Sequence, residues 1–316
     1  MIQASDHASR VFSAVQSDAA AVQSAIVASW CRSALHHGLD PETAAQQIRL
    51  DAAELAARRA PLDMLLEIAG SVLDETFRAV GGSGCGVMLS DADGVIMSRR
   101  VKDGDGDHFT DAGLVEGALW DEARAGTNGI GTCLTEDRAV IVHRDQHFAT
   151  RNIGMTCIDA PIHDPQGKLV AALDVSSCRI DHGPAMAEMI ATIVRDAARR
   201  IERSYFCQHF GEHRIICLPD AAQGGTALLA ADRDDIVLGA TRAARLRLGI
   251  DDPLATPRSL CDLLGEEHEP SFEDGDRGVM RQALAYAGGN ASEAARLLGI
   301  GRATLYRRLA RAGIRP

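Results

Sequence analysis

Apolar and alanine positions recur at helical steps over residues 7 to 36, and His37-Gly38-Leu39-Asp40-Pro41 ends the run with a glycine and then a proline. The same spacing predicts a second helix over 42 to 58 and a third from Pro61 to about Val80, where Gly81-Gly82-Ser83-Gly84 breaks it. The period then changes. Cys85 to Ser90 and Val95 to Val101 are short strand-type runs around Asp91-Ala92-Asp93-Gly94, which predicts a hairpin. Met155 to His163 and Lys168 to Ser176 repeat the arrangement around Asp164-Pro165-Gln166-Gly167. Between the two pairs lie a glycine-broken helix near 126 to 137 and a lone strand, Ala139 to His143. Strand pairs around an inserted helix, flanked by long helices, predict an α+β domain of sensor size.

Pro184 opens a helix to about Phe206 on which Met186, Ile190, Ile193, Ala197 and Ile201 form a narrow apolar seam. Such a seam suits pairing between two subunits or packing on its own domain. Residues 215 to 265 offer strands at Ala227 to Ala231 and Ile236 to Ala240 and a helix at Arg242 to Leu248, too little chain for a well-filled core of its own. Glu266 to Asp276 is acidic, contains Pro270 and Gly275, and reads as a linker. Three helical pieces follow: Arg277 to Ala287, Ser292 to Leu298 and Arg302 to Ala312. The expected organisation is therefore an N-terminal helical region (1–60), a sensor domain (61–183), a linker or dimerisation helix (184–210), a partial domain (215–265) and a helix-turn-helix (277–316).

With 316 residues and 46% apolar content, the chain has ample material for packed cores. No apolar run is long enough to span a bilayer, and the start MIQASDHASR lacks the basic and apolar regions of an export signal. The expectation is a cytoplasmic protein with no membrane partner. Cys31, Cys85, Cys133, Cys157, Cys178, Cys207, Cys217 and Cys261 include no close CxxC pair, as expected of reduced, mostly buried thiols.

Charge changes the picture at the C-terminal end. The net charge is −11, yet residues 277 to 316 hold eight arginines against the single acid Glu293. An acidic body with a compact basic end predicts that the end meets a polyanion. On the last helix Leu305, Leu309 and Ala312 share one side while Ala303, Thr304, Arg307 and Arg311 point away, a face suited to a DNA major groove. The segment ALAYAGGNASEAARLLGIGRATLYRRLARAGI resembles the Fis-type helix-turn-helix that ends many bacterial enhancer-binding regulators. That resemblance places DNA contacts at Arg302, Thr304, Tyr306 and Arg307, with Arg308 and Arg311 beside them. Gly301 stands where the family often has asparagine, so one polar contact is expected to be missing.

The run Trp120-Asp121-Glu122-Ala123-Arg124-Ala125-Gly126-Thr127-Asn128-Gly129-Ile130-Gly131-Thr132 is no phosphate loop, because no lysine follows its glycines. It reads as a turn capped by Thr127 or Asn128 that launches a helix. With SWCRSALHHGLDP, VHRDQHF and TCIDAPIHDPQGKLVAALDVSS it resembles the GAF domain of regulators of acetoin and glycerol metabolism, from about Ser29 to Ser177. Residues 215 to 265 resemble the front half of a PAS domain. The wider family carries an ATPase module between sensor and DNA reader; here the only Gly-Lys pair, Gly167-Lys168, has Ile162 where a phosphate loop needs glycine, so no ATP hydrolysis is expected.

The candidate ligand-binding residues are Trp120, Thr127, Asn128, Cys133, His143, His147 and Cys157. His143 and His147 could ligate a metal with Cys133 or Cys157, but Asp145 and the strand end argue instead for polar pocket residues. Cys85, Cys133 and Cys157 could form a redox site, as in GAF-fold enzymes that reduce free methionine sulfoxide; buried inert thiols are the commoner case. Asp103, Asp105 and Asp107 imitate a calcium loop, yet His108 and Leu114 replace its glycine and bidentate acid. No catalytic residue, metal or cofactor is assigned. The sequence reads as a ligand-sensing regulator of transcription and a homodimer, whose partners are double-stranded DNA, a small alcohol, diol or hydroxyketone, and RNA polymerase. A thiol redox enzyme or sensor, and a modulator acting by mixed dimers with a full-length regulator, are the alternatives.

Overall fold

The computed structural model describes residues 4–16, 24–43, 48–179, 181–219, 226–233, 235–250, 258–265, 279–280, 283–284, 287–312 and 314. They fall into two compact units, 1–258 and 259–316.

In the first unit, α1 (Ala4–Val15), α2 (Ala25–Cys31), α3 (Ala52–Arg59) and α4 (Asp63–Val80) precede β1 (Cys85–Asp91) and β2 (Ile96–Arg100). Then follow α5 (Gly106–Asp111), α6 (Glu122–Ala125), α7 (Gly129–Glu136), β3 (Val140–His143), β4 (Thr156–His163), β5 (Leu169–Ser177) and α8 (Pro184–His209). The five strands form one antiparallel sheet in the order β2-β1-β5-β4-β3, so both expected hairpins and the lone strand are present.

Every residue of β1 is buried, which requires cover on both faces of the sheet. On one face Val87, Leu89, Ile158, Ala160, Leu173 and Val175 pack against Leu65, Ala69, Val72 and Leu73 of α4 and Ile190, Val194, Ala197 and Ile201 of α8. These helix positions recur at three and four, the spacing of a single buried stripe. The other face, with Met88, Ile96 and Cys157, is covered by Phe109, Leu114, Ala118, Trp120, Ala125 and Ile130.

One expectation is corrected, and one left open is decided in part. The helix predicted over 42 to 58 begins only at Ala52; Leu50 N–H bonds the Gly117 carbonyl at 2.9 Å, Leu119 N–H bonds the Ile48 carbonyl at 3.0 Å, and Asp51 caps the helix. Pairing with residues 117 to 119 therefore overrides local helical spacing there, while 44–47 lie outside the described residues. Of the two roles open to the seam on α8, packing within the chain takes Ile190, Ala197 and Ile201, which are buried against the sheet, while Met186 and Ile193 remain exposed, with Met189 exposed beside them.

Beyond α8, β6 (Arg214–Cys217), β7 (Leu228–Ala231) and β8 (Ile236–Ala240) are successive neighbours in a second sheet, followed by α9 (Arg242–Leu248). β6 was not anticipated. This small sheet gains its core from Phe206 and Phe210 at the end of α8, which pack on Leu228 and Ala230. Gly239 makes that possible, because a Cβ there would overlap the Phe210 ring.

In the second unit residues 279, 280, 283 and 284 are helical, followed by α10 (Ala291–Leu297) and α11 (Arg302–Arg311). Met280, Ala283, Leu284, Ala291, Ala294, Ala295, Leu305 and Leu309 form its core. Asn290 caps α10 by accepting from the backbone of Ser292 and Glu293. The expected linker, Glu266 to Asp276, lies outside the described residues.

Candidate functional site

The strand register decides what lies beneath α7. Cys157 stands opposite Ser176 and Asp159 opposite Asp174 across β4 and β5; Met88 flanks Asp174 and Val142 flanks Cys157. Directly paired residues share a face, so an otherwise apolar surface carries a row of polar groups. His147 Nδ1–H donates to the Arg144 carbonyl at 2.8 Å, which leaves Nε2 to accept from the Cys157 thiol at 3.3 Å. Ser176 Oγ lies 3.1 Å from Cys157 Sγ and 2.9 Å from Asp174 Oδ1.

These groups are buried, and burial sets their protonation. It pushes the His147 imidazole down to about 4 and the Cys157 thiol well above its usual range, with Asp174 and Asp159 adding to the thiol's shift. The histidine–cysteine pair is accordingly neutral, unlike the thiolate pairs of reactive cysteines. Cys133 and Cys85 are pushed up for the same first reason. Burial and mutual repulsion hold the Asp159 carboxyl well above its ordinary range, and burial also raises Asp174. Asp159 thus keeps a proton that it can share with Asp174.

The roof of this surface is the glycine-rich segment. Asn128 Oδ1 accepts from Gly131 N–H at 2.9 Å as the N-cap of α7, and its Nδ2 donates to the Gly126 carbonyl at 2.8 Å. Each glycine has a steric reason. A Cβ on Gly129 would collide with the Asp159 carboxyl, and one on Gly131 would sit 2.5 Å from the Glu122 nitrogen and 2.6 Å from the Trp120 oxygen. Gly126, at φ +68°, would meet the Phe148 ring. Trp120 is buried and donates from Nε1 to the Gly113 carbonyl at 3.1 Å.

The N-terminal motif SWCRS locks onto this roof. Glu122, almost fully buried, accepts from Ser29 Oγ at 2.6 Å, Thr132 Oγ1 at 3.1 Å, Arg32 Nε at 2.6 Å and Arg32 Nη2 at 3.1 Å. Thr127 Oγ1 lies 2.7 Å from Ser29 Oγ, and Arg32 also pairs with Glu136 at 2.8 Å. Trp30 Nε1 donates to the Gln146 carbonyl at 2.8 Å. The motif segments that lie apart in sequence thus meet in one network.

Of the seven candidate ligand residues, Cys133, His147 and Cys157 are buried at this surface. His143 is half-buried at the end of β3, its Nδ1 2.8 Å from Thr156 Oγ1. Trp120, Thr127 and Asn128 belong to the roof and spend their polar atoms on it. Sequence reasoning passed over Asp159, Asp174 and the Arg32–Glu122 pair. A signal existed: CIDAPI and ALDVSS each place an aspartate, a residue depleted in strands, in the middle of an apolar run.

At the other end of this layer His163 lies between two acids, Nε2 2.7 Å from Asp137 Oδ1 and Nδ1 2.6 Å from Glu202 Oε1. Asp137, in the left-handed region at φ +47°, also pairs with Arg242 of α9 at 2.5 Å. Burial opposes charge on His163, but the bonds to Glu202 and Asp137 outweigh it and raise its pKa.

In the second unit α11 buries Leu305 and Leu309, while Arg302, Tyr306, Arg307, Arg308 and Arg311 are exposed and Thr304 is half-buried. The Arg302 guanidinium sits 5.5 Å from the centre of the Tyr306 ring. Gly301 is the N-cap of α11 and supplies no side-chain bond.

The sheet with helices on both faces is a GAF domain, matched over residues 64–201, and the C-terminal helices match the bacterial regulatory protein, Fis family, over 271–311. The chain thus combines a GAF domain with a Fis-type helix-turn-helix, and it is similar to acetoin catabolism regulators. It is 31% identical to the acetoin catabolism regulatory protein of Cupriavidus necator over 239 residues, 74% of this chain and 36% of that protein. It is 34% identical to the acetoin dehydrogenase operon transcriptional activator AcoR of Bacillus subtilis over 116 residues, 36% of this chain and 18% of that one. The chain thus spans about a third or less of these curated relatives. The crystal structure of the E. coli DhaR(N)–DhaL complex shares the fold, with a TM-score of 0.52 at 16% identity, covering 83% of this chain and 86% of that one.

Proposed function

We propose that the chain is a DNA-binding regulator of transcription whose GAF domain senses a small metabolite and which acts in the cytoplasm as a homodimer, with no enzymatic step of its own. The observation that carries the reading is α11: four exposed arginines and Tyr306 displayed over buried leucines, in a Fis-family helix-turn-helix. Arg302, Thr304, Tyr306 and Arg307 would meet the bases, and Arg308 and Arg311 the phosphates. The relatives' names support a small alcohol, diol or hydroxyketone as effector. The exposed Met186, Met189 and Ile193 on α8 offer an apolar stripe for a second copy. The small second sheet serves as the PAS-like piece, and RNA polymerase is the expected downstream partner. The raised thiols speak against the redox reading, since reactive cysteines need depressed pKa values. Arg307→Ala should weaken specific binding by about 1 to 3 kcal/mol and binding should fall steeply with salt. A mobility-shift titration showing unchanged affinity for the protein's own promoter fragment would overturn the assignment.

A further inference from the structure

The row beneath α7 contains more acceptors than the protein satisfies. Apart from the proton that the two aspartates can share, both carboxyl oxygens of Asp159, Asp174 Oδ2 and Ser90 Oγ are buried without a hydrogen-bond partner among the described residues. Each of the three residues is 1% exposed. Ser90 pairs with Ala172, two residues from Asp174 on the same strand, so its hydroxyl stands on the face that carries the acid pair. Residues diagonal in this way have Cα atoms about 7 to 8 Å apart, within the reach of one small molecule. Apolar groups surround the row: Met88, Trp120, Ile130 and Met155. An apolar surround with a few convergent polar groups is the usual composition of a small-molecule site.

The other buried acid of this domain shows the contrast. Glu122 is neutralised by Arg32 and bonded by two hydroxyls. Among the described residues, no cation is among the groups that act on Asp159 or Asp174. We propose that Asp159, Asp174 and Ser90 receive the hydroxyl groups of the effector, and that this site distinguishes a hydroxyl from a carbonyl at the same carbon. The proposal rests on the effector-sensing reading above and narrows it.

The donor and acceptor inventory selects the class. An anion would be repelled by the pair. A ketone oxygen only accepts, and an ammonium only donates. The site holds both kinds of group: the carboxyl oxygens that the proton shared by the two aspartates leaves open, and the Ser90 O–H. A hydroxyl matches both, and two neighbouring hydroxyls match two carboxyls that face each other across a strand pair.

One carbon skeleton tests this in the full chain. Butane-2,3-diol, 3-hydroxybutan-2-one and butane-2,3-dione carry two, one and no hydroxyls, and are compared by calorimetric titration. Affinity is expected to fall by at least about tenfold for each hydroxyl lost, the factor that corresponds to about 1.4 kcal/mol. Asp159→Asn, Asp174→Asn and Ser90→Ala, each checked by circular dichroism, should flatten the series. Infrared difference spectra supply a readout independent of variant folding: the protonated carboxyl band should shift on adding the diol to the unaltered chain. Dione binding as tight as diol, no binding of any of the three, a carboxyl band that does not move, or tighter binding of butane-2,3-diamine overturns the proposal. A parallel promoter mobility shift separates the two readings. DNA binding without a diol-selective site leaves the regulator and removes this inference; a diol-selective site without DNA binding does the reverse.

Discussion

Replacing Arg32 by Ala tests whether the N-terminal motif is built into the GAF domain. Arg32 supplies two of the four hydrogen bonds on Glu122 and its only cation among the described ion pairs. Glu122 cannot turn to solvent, because α2 and α7 enclose it with Ser29 and Thr132. Removing one member of a buried pair leaves the other charge uncompensated and costs about 3 to 5 kcal/mol. Against a total stability of about 5 to 15 kcal/mol this brings the unit close to unfolding. At about 2 to 4 °C per kcal/mol for a domain of this size, Tm should fall by roughly 10 °C. Trp30 and Trp120, the chain's two tryptophans, both lie in this region, so urea unfolding followed by their fluorescence reads the transition directly. Adding Glu122→Gln to the variant removes the stranded charge and should restore at least half of the loss. A cost below about 1 kcal/mol for Arg32→Ala, the value of an exposed pair, would refute the reasoning.

Further outcomes follow from the same physics. His163 has a raised pKa in the folded chain, so its contribution to stability is fully present below the unfolded value and is lost as pH rises through the folded one; His163→Gln should flatten that stretch of a stability–pH curve. Asp174 is an acid raised to about 7, so the native state weakens as pH climbs from the unfolded value towards 7; Asp174→Asn should match the parent at pH 4 and exceed it at pH 8 by up to about 4 kcal/mol in urea titrations, and equal curves would refute the buried acid pair. Gly131→Ala presses a methyl against two backbone atoms that cannot rotate away, and a loss of about 3 kcal/mol is expected from thermal unfolding.

Much of the architecture was legible because its causes are local. Asp91-Ala92-Asp93-Gly94 and Asp164-Pro165-Gln166-Gly167 are turns by their own chemistry, and β1, β2, β4 and β5 lie within a residue or two of the runs that flank them. Gly288, Gly289 and Gly299 take positive φ where the helical pattern of the C-terminal unit breaks. The outward face of α11 likewise followed from a hundred degrees per residue, with Leu305 and Leu309 inward as expected.

Tertiary structure alone decided the rest. Residues 48 to 50 have helical spacing but pair with 117 to 119, a partner nearly seventy positions away that no local pattern announces. The seam on α8 could serve a second subunit or its own sheet, and packing assigned Ile190, Ala197 and Ile201 to the sheet because α4 and α8 together cover one of its faces. Asp159 and Asp174 are fifteen residues apart on two separate strands. Only the register of β4 against β5 sets them opposite each other, and a shift of one position would have placed Ile158 and Ala160 there instead. The residue types were visible in the chain; their meeting, burial and missing partners depend on which backbone lies beside which.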